Sequence, residues 1–275
     1  MTEAQRVPPG VDPDTPSPAR LYDYYLGGTD NFRADRDAAE RIRALMPELA
    51  DAAWANRGFH QRAARWLAGT PGIRQFLDIG SGLPTQNNTH QAVARVASDA
   101  RVVYVDNDPM VRVHASSLLT GAGNTRFITA DVRDPESVLG HPQTRELIDF
   151  GQPVGLLMTA VLHFVADGSD PHGLVARFVA ELAPGSYLVL SHITADQKPP
   201  AAVQAILDIY AHATEQIHMR SRAEVERFFD GLELLPPYAG AAARVTYVGD
   251  WGAEDAVLAD SDGSRWSYGG VARRP

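Results

Sequence analysis

The segment Phe76-Leu77-Asp78-Ile79-Gly80-Ser81-Gly82-Leu83-Pro84 reads as a short strand that ends in an acid and breaks into a glycine loop ahead of a helix. Its glycines let the backbone approach a ligand closely, and the helix start that follows favours an anionic group. Asp106 ends the next apolar run, 24 residues beyond Gly82, about where an acid accepts hydrogen bonds from two ribose hydroxyls. Asp131 ends the run Phe127-Ile128-Thr129-Ala130 and is placed to accept from an adenine amino group, with Val132 beside it offering backbone and apolar contact. The run Met158-Thr159-Ala160-Val161-Leu162-His163 has small residues at its end and a group that titrates near neutral pH one step further on. All four features fall at the ends of successive strands, the edge where open α/β sheets place ligands.

Composition narrows the chemistry. With 34 acidic against 25 basic residues and a net charge of -9, the chain would repel a phosphate backbone, and no basic patch stands out. Nucleic acid is not an expected partner. The absence of cysteine excludes disulfide scaffolds, thiolate metal sites and Cys nucleophiles. His212, Glu215 and His218 share a spacing of three but lack the i, i+4 histidine pair of a zinc helix, so no metal is expected. Neither a Gly-x-Ser-x-Gly elbow nor a Gly-Lys-Ser/Thr phosphate loop occurs. The longest apolar stretch, Val154 to Val165, is too short for the roughly 20 residues that span a bilayer. The N-terminus carries no secretory pattern, and a cytoplasmic protein without membrane partners is expected.

At 275 residues the chain is long enough for one large domain with a sizeable core. Residues 1–19 are proline-rich and without periodicity, which predicts a flexible arm. Helical spacing at Ala38, Ile42, Leu45 and Leu49, broken by Pro47, and at Phe59, Ala63, Trp66 and Leu67 predicts two or three helices within residues 20–72. From residue 73 short apolar runs alternate with helical stretches, the pattern of a parallel sheet with crossover helices. Seven strands are predicted, at 75–79, 101–105, 126–130, 154–160, 186–192, 243–248 and 266–273. Helices are predicted at 86–98, 109–120, 171–183 and 221–230. The second and third open with Asp108-Pro109 and Asp170-Pro171, an N-cap followed by proline at the first helical position. Residues 199–218, carrying the His212, Glu215, His218 trio, form a further helical segment and a candidate lid.

Taken together these residues resemble the class I S-adenosylmethionine-dependent methyltransferases. Asp78, Gly80 and Gly82, then Asp106, then Asp131, then Ala183-Pro184-Gly185-Ser186-Tyr187-Leu188 are similar to that superfamily's ordered motifs. More narrowly, a large bacterial family of S-adenosyl methyltransferases with mostly unassigned acceptors is similar in several segments. These are Ala19 to Gly28, Asp30-Asn31-Phe32, Gln75 to Gln86, Val103-Tyr104-Val105-Asp106-Asn107-Asp108-Pro109 and Leu162-His163-Phe164. The resemblance runs from about residue 17 to 273 and implies a Rossmann-like α/β fold, seven mostly parallel strands behind an N-terminal helical cap, with S-adenosyl-L-methionine as cofactor. By the same resemblance the loop Gly80-Ser81-Gly82 faces the methionine part, Asp106 and Asn107 the ribose, and Asp131 with Val132 the adenine. Thr159 and Ala160 would line the methyl-transfer mouth. Tyr22, Tyr25, Asn31 and Phe32 would fold over the cofactor, and Arg57 would pair with its carboxylate. One departure is Pro84, which replaces the loop's usual third glycine and stiffens the chain there.

Methyl transfer asks mainly for alignment, which supplies on the order of 7 to 11 kcal/mol. Where the acceptor must lose a proton, His163 is the candidate base. The enclosing cap and the 199–218 segment point to a small-molecule O- or N-acceptor. Two alternatives stand beside this: a non-catalytic protein that binds the donor or its product, and a nicotinamide-dependent oxidoreductase. Thr85 at the third fingerprint position and Asp78 where those loops carry an apolar residue speak against the second. Nothing in the sequence fixes the acceptor or the oligomeric state.

Overall fold

The computed structural model describes residues 7–84, 87–118, 123–255 and 259–275. Three helices lead: α1 (Pro18–Tyr25), α2 (Arg33–Arg43) and α3 (Leu49–Gly69). Alternation follows: β1 (Gln75–Ile79), α4 (Thr89–Ala94), β2 (Arg101–Asp106), α5 (Pro109–Leu118), β3 (Thr125–Thr129), α6 (Pro135–Leu139), α7 (Pro142–Leu147), β4 (Gly155–Thr159), α8 (Pro171–Ala180) and β5 (Tyr187–Ile193). Then come α9 (Pro200–Tyr210), α10 (Arg222–Glu226), β6 (Glu233–Leu234), β7 (Thr246–Tyr247) and β8 (Ser267–Arg273).

Among the described residues the sheet has eight strands in the order β3-β2-β1-β4-β5-β8-β6, with β7 on β8. β1 to β5 are parallel, and β8 returns antiparallel against β5 from Tyr187↔Arg273 to Ile193↔Ser267. The order reverses between β1 and β4, so a crevice opens at their carboxyl ends. Alternation along β1 assigns its side chains: Leu77 and Ile79 join Val103, Leu156 and Phe178 on one face, while Phe76 packs with Phe59, Ala63 and Leu67 of α3 on the other. Asp78 shares Phe76's parity and therefore points toward α3. A third apolar cluster joins α2 and the start of α3 to α9 and the 3₁₀ turn before β8 through Ile42, Met46, Leu49, Ile206, Tyr210 and Trp266.

Several sequence expectations need correction. The strand count is eight, because two-residue β6 was too short to show a pattern and β7 covers only Thr246–Tyr247 of the expected 243–248. The 86–98 helix is Thr89–Ala94, started by Asn88, whose backbone N–H donates to Gln91 Oε1 at 2.9 Å. Residue 86 lies outside the described residues, as do the last two of the expected 109–120 helix. The 171–183 helix stops at Ala180, and 221–230 divides into α10 and a 3₁₀ turn over Arg227–Phe229. The 199–218 helix ends at Tyr210, so His212, Glu215 and His218 share no helix face. Leu45, expected on a buried face, lies beyond the end of α2 and is exposed, and Met46 is buried instead. The Asp170 cap stands, its side chain accepting from Gly173 N–H at 3.0 Å, and Asp108 Oδ1 likewise accepts from Met110 N–H at 2.7 Å.

Candidate functional site

A cavity of about 410 Å³ opens at the crevice. Of the sequence-predicted residues it gathers Tyr22, Arg57, Asp78, Gly80, Ser81, Gly82, Asp106, Asn107, Asp131, Val132, Thr159, Ala160 and His163. Asn31 is not among its lining residues. Its side chain is spent on Asp23 Oδ2 (2.9 Å), Gly28 O (3.0 Å) and Arg36 (3.0 Å), so it braces the N-terminal helices.

The glycine loop and the acid after β2 are tied together, since Gly82 N–H donates to Asp106 Oδ2 at 2.8 Å and Asp108 N–H to Oδ1 at 2.9 Å. Each carboxylate oxygen keeps a lone pair for a further donor. Burial pushes the Asp106 carboxyl up to about 6, against the backbone hydrogen bonds that favour its charged form. Gly80 and Gly82 both have φ near +70°, the left-handed region. They differ in surroundings: a Cβ on Gly80 would strike the Val161 side chain, whereas one on Gly82 would meet nothing within 4 Å. Gly80 is a packing glycine, and Gly82 borders open cavity.

Asp131 accepts from Asn107 Nδ2 at 3.0 Å and is held by Arg133 at 2.7 Å, which also reaches Glu215 at 2.9 Å. Burial raises its carboxyl, but the Arg133 hydrogen bonds outweigh that and hold it below the usual range. Ala160 follows β4 at φ +56°, an uncommon conformation for a residue with a Cβ, and its N–H donates to Ser191 Oγ at 3.0 Å. Ser191 Oγ donates to Asn56 Oδ1, Asn56 Nδ2 to Tyr22 Oη at 2.9 Å, and Tyr22 Oη to Ala53 O at 3.0 Å.

Sequence reasoning missed His60. It is buried, with Nδ1 2.8 Å from Thr159 Oγ1 and Nε2 2.7 Å from Thr89 Oγ1, while Thr89 Oγ1 donates to Asp78 Oδ2 at 2.6 Å. The hydrogen count sets the direction. Thr89 spends its only proton on Asp78, so neutral His60 donates from Nε2 and accepts at Nδ1 from Thr159. Burial holds the His60 pKa below its ordinary value despite Asp78 nearby, which keeps this tautomer neutral. Thr159 thereby presents oxygen lone pairs, not its proton, to the cavity. A polar stripe of Asn56, Arg57 and His60 among the small residues Ala53, Ala63 and Ala64 of α3 was the signal available in the sequence.

His163 is buried on a 3₁₀ turn, Leu162–Phe164, and its Nδ1 has no hydrogen-bond partner among the described residues. Burial, then the neighbouring His192 and Arg220, hold its pKa well below the ordinary value. Arg220 fixes the turn by donating to Leu162 O (3.0 Å), Val165 O (2.8 Å) and Asp167 (2.6 Å). Arg57 also lines the cavity and donates to Asn88 Oδ1 at 3.0 Å. The N-terminal segment closes over the same edge: Gly10, Val11 and Asp12 line the cavity, and Ser17 Oγ donates to Asp108 Oδ2 at 2.7 Å. Among the described residues no His, Asp or Glu cluster forms a metal site, and no helix is long and apolar enough to cross a membrane.

Residues 4–275 match a family model described as S-adenosyl methyltransferase. A DUF574 family protein of Streptomyces avermitilis is similar at 41% identity and TM-score 0.88, over 96% of this chain and 99% of that one. A protein of Thermobifida fusca described as a candidate methyltransferase is similar at 40% identity and TM-score 0.88, over 97% of each chain. The N-methyltransferase NodS of Bradyrhizobium japonicum, in complex with S-adenosyl-L-homocysteine, shares the fold at TM-score 0.50 and 14% identity, over 86% of this chain and 98% of that one. No curated protein matches the sequence.

Proposed function

This chain belongs to the S-adenosyl methyltransferase family, and on that premise we propose that it transfers the methyl group of S-adenosylmethionine to an oxygen or nitrogen atom of a small molecule. One observation carries the assignment of the site: the Gly82 loop is hydrogen-bonded to a half-buried Asp106 at the sheet's reversal point, with Asp131, Thr159 and Ala160 on the same cavity wall. These residues fit the donor. Asp106 retains a lone pair on each oxygen for the two ribose hydroxyls, Val132 offers an apolar contact beside Asp131 for the adenine, and the space at Gly82 suits the methionine chain. Arg57 supplies a cation for the carboxylate. Helices within residues 20–72 act as the cap, with Tyr22 pinned over the cavity by Asn56 and Ala53.

When bound, the sulfonium supplies a methyl carbon already activated for displacement. The protein's task is alignment and exclusion of water. Ala160 N–H is tied to Ser191, which fixes the mouth, and Thr159 turns lone pairs toward the transfer path because its proton is committed to His60. His163, held neutral, takes the proton that the acceptor loses. A hydroxyl becomes strongly acidic only as its new bond to carbon forms, so a weakly basic imidazole suffices.

Calorimetry tests the assignment. S-adenosylmethionine and S-adenosylhomocysteine are expected to bind the wild-type protein, and NAD is not. Binding of NAD alone would overturn the proposal. Turnover of donor to S-adenosylhomocysteine with an added acceptor separates a catalyst from a binding protein.

A further inference from the structure

The cavity has two chemically distinct halves. One part of its wall carries the glycine loop and the acids that end the strands, whereas another is built from the clustered apolar residues Met46, Leu49, Phe164, Ile206, Tyr210 and Trp266. Given that the chain transfers methyl groups as proposed above, we infer that this apolar half is the acceptor chamber and takes an uncharged aromatic small molecule whose hydroxyl oxygen receives the methyl group.

Enclosure comes first. Met46, Ile206 and Trp266 are each only 2% exposed, although they line the cavity, so the chamber admits a small molecule and not a macromolecular surface. Its rings are held in place. Phe164 and Tyr210 lie 5.8 Å apart at 35°, and Trp266 is fixed by its Nε1 donating to Glu48 Oε1 at 2.8 Å and by Lys198 Nζ 5.0 Å from the ring centroid. Flat faces held this way suit a flat ligand through offset or edge contacts. Charge is the second constraint. The six wall residues carry no charge, and Arg20, a cation of the N-terminal helices that also lines the cavity, is neutralised by buried Asp35 at 2.8 Å, so neither an ammonium nor a carboxylate acceptor finds a counter-charge on those walls. The third is His163. It lines the cavity, and its buried Nδ1 has no hydrogen-bond partner among the described residues, a deficit that a ligand hydroxyl can meet.

The reaction balances with these groups. A lone pair of the acceptor oxygen forms the O–CH₃ bond as the S–CH₃ bond breaks. The sulfur keeps that bond's electron pair and becomes a neutral thioether. The hydroxyl proton passes to His163 and leaves to solvent with product. Ring contacts orient the acceptor while Thr159 and Ala160 frame the path.

The test uses the full-length protein saturated with S-adenosylhomocysteine and three probes: 2-naphthol, 2-naphthoate and cyclohexylamine, followed by calorimetry and tryptophan emission. Saturable binding of 2-naphthol at least about tenfold tighter than either charged probe is expected, together with methyl ether formation from S-adenosylmethionine. Ile206→Trp, which fills the chamber, should weaken 2-naphthol at least about tenfold while S-adenosylhomocysteine affinity stays within about twofold. Leu49→Phe serves the same purpose should Ile206→Trp fail to fold. Normal S-adenosylhomocysteine binding with no 2-naphthol binding, or with a charged probe binding more tightly, would overturn the acceptor assignment and leave the methyltransferase site intact. Failure of S-adenosylhomocysteine itself to bind the folded wild type would remove both.

Discussion

Lowering the pH from 8 to 5 is expected to weaken S-adenosylhomocysteine binding about tenfold, through Asp106. Its carboxyl sits near 6 in the ligand-free protein because burial disfavours the charge, whereas an ordinary aspartate sits at 3.8. The ionised form accepts from both ribose hydroxyls, whereas the protonated form gives up acceptor capacity on the oxygen that carries its proton, so binding favours the carboxylate and releases a proton wherever the free protein holds one. The sign follows. Affinity is full above the raised pKa and falls as pH drops through 6. At pH 5 about one molecule in eleven is ionised, a loss of about 1.4 kcal/mol. Near pH 6 about half a proton is released per ligand bound, which calorimetry in two buffers of different ionisation enthalpy reads directly. Burial lowers the pKa of both His60 and His163, which disfavours their charged forms as the pH falls. Asp106→Asn should bind more weakly at pH 8 and lose the pH dependence. An affinity independent of pH in the wild type, or the same dependence in Asp106→Asn, would refute the placement of the ribose at Asp106.

Four further substitutions probe separate parts of the structure. Gly80→Ala should cost about 2 to 4 kcal/mol in urea unfolding, combining left-handed strain with a clash against Val161. Gly82→Ala, with the same strain and open space, should cost only about 1 kcal/mol yet weaken S-adenosylhomocysteine at least about tenfold, and equal stability losses would contradict the distinction. His60→Leu removes the partner of Thr159 and is expected to destabilise by about 1 to 3 kcal/mol, with an unchanged midpoint counting against the chain to Asp78. Arg20→Leu strands the buried Asp35 carboxylate and should cost about 3 to 5 kcal/mol. Part of that loss should be recovered in the Arg20→Leu, Asp35→Leu double variant, which removes the stranded charge but also the acceptor of Ser17 and Phe32 N–H, and a loss confined to the double variant would contradict the pairing.

The strand edge was legible because parallel strands buried on both faces are near-continuous apolar runs, so Asp78, Asp106 and Asp131 stand out as the polar residues that terminate them. Asp108 and Asp170 were legible as caps because proline at the first helical position permits few other local arrangements. His60, Thr89, Asn56 and Ser191 were not, because each becomes polar partner to another only through contacts between α3, α4 and the sheet. A helix with Asn56, Arg57 and His60 on one face looks solvated until its alanines are known to be buried. The expected lid helix ran too far because the apolar residues beyond Tyr210 continue a helical texture, although Ile217 is buried in irregular chain. β6 and β7, with two residues each, owe their existence to pairing with β8 and carry no periodicity of their own.

The most direct test of the assigned site is a crystal structure of the protein with S-adenosylhomocysteine. The ribose hydroxyls are predicted on the two Asp106 oxygens, the adenine beside Asp131 and Val132, and the sulfur facing Thr159, Ala160 and the chamber walled by Phe164, Tyr210 and Trp266. Density for the ligand elsewhere, or in this cavity with the ribose away from Asp106, would contradict it.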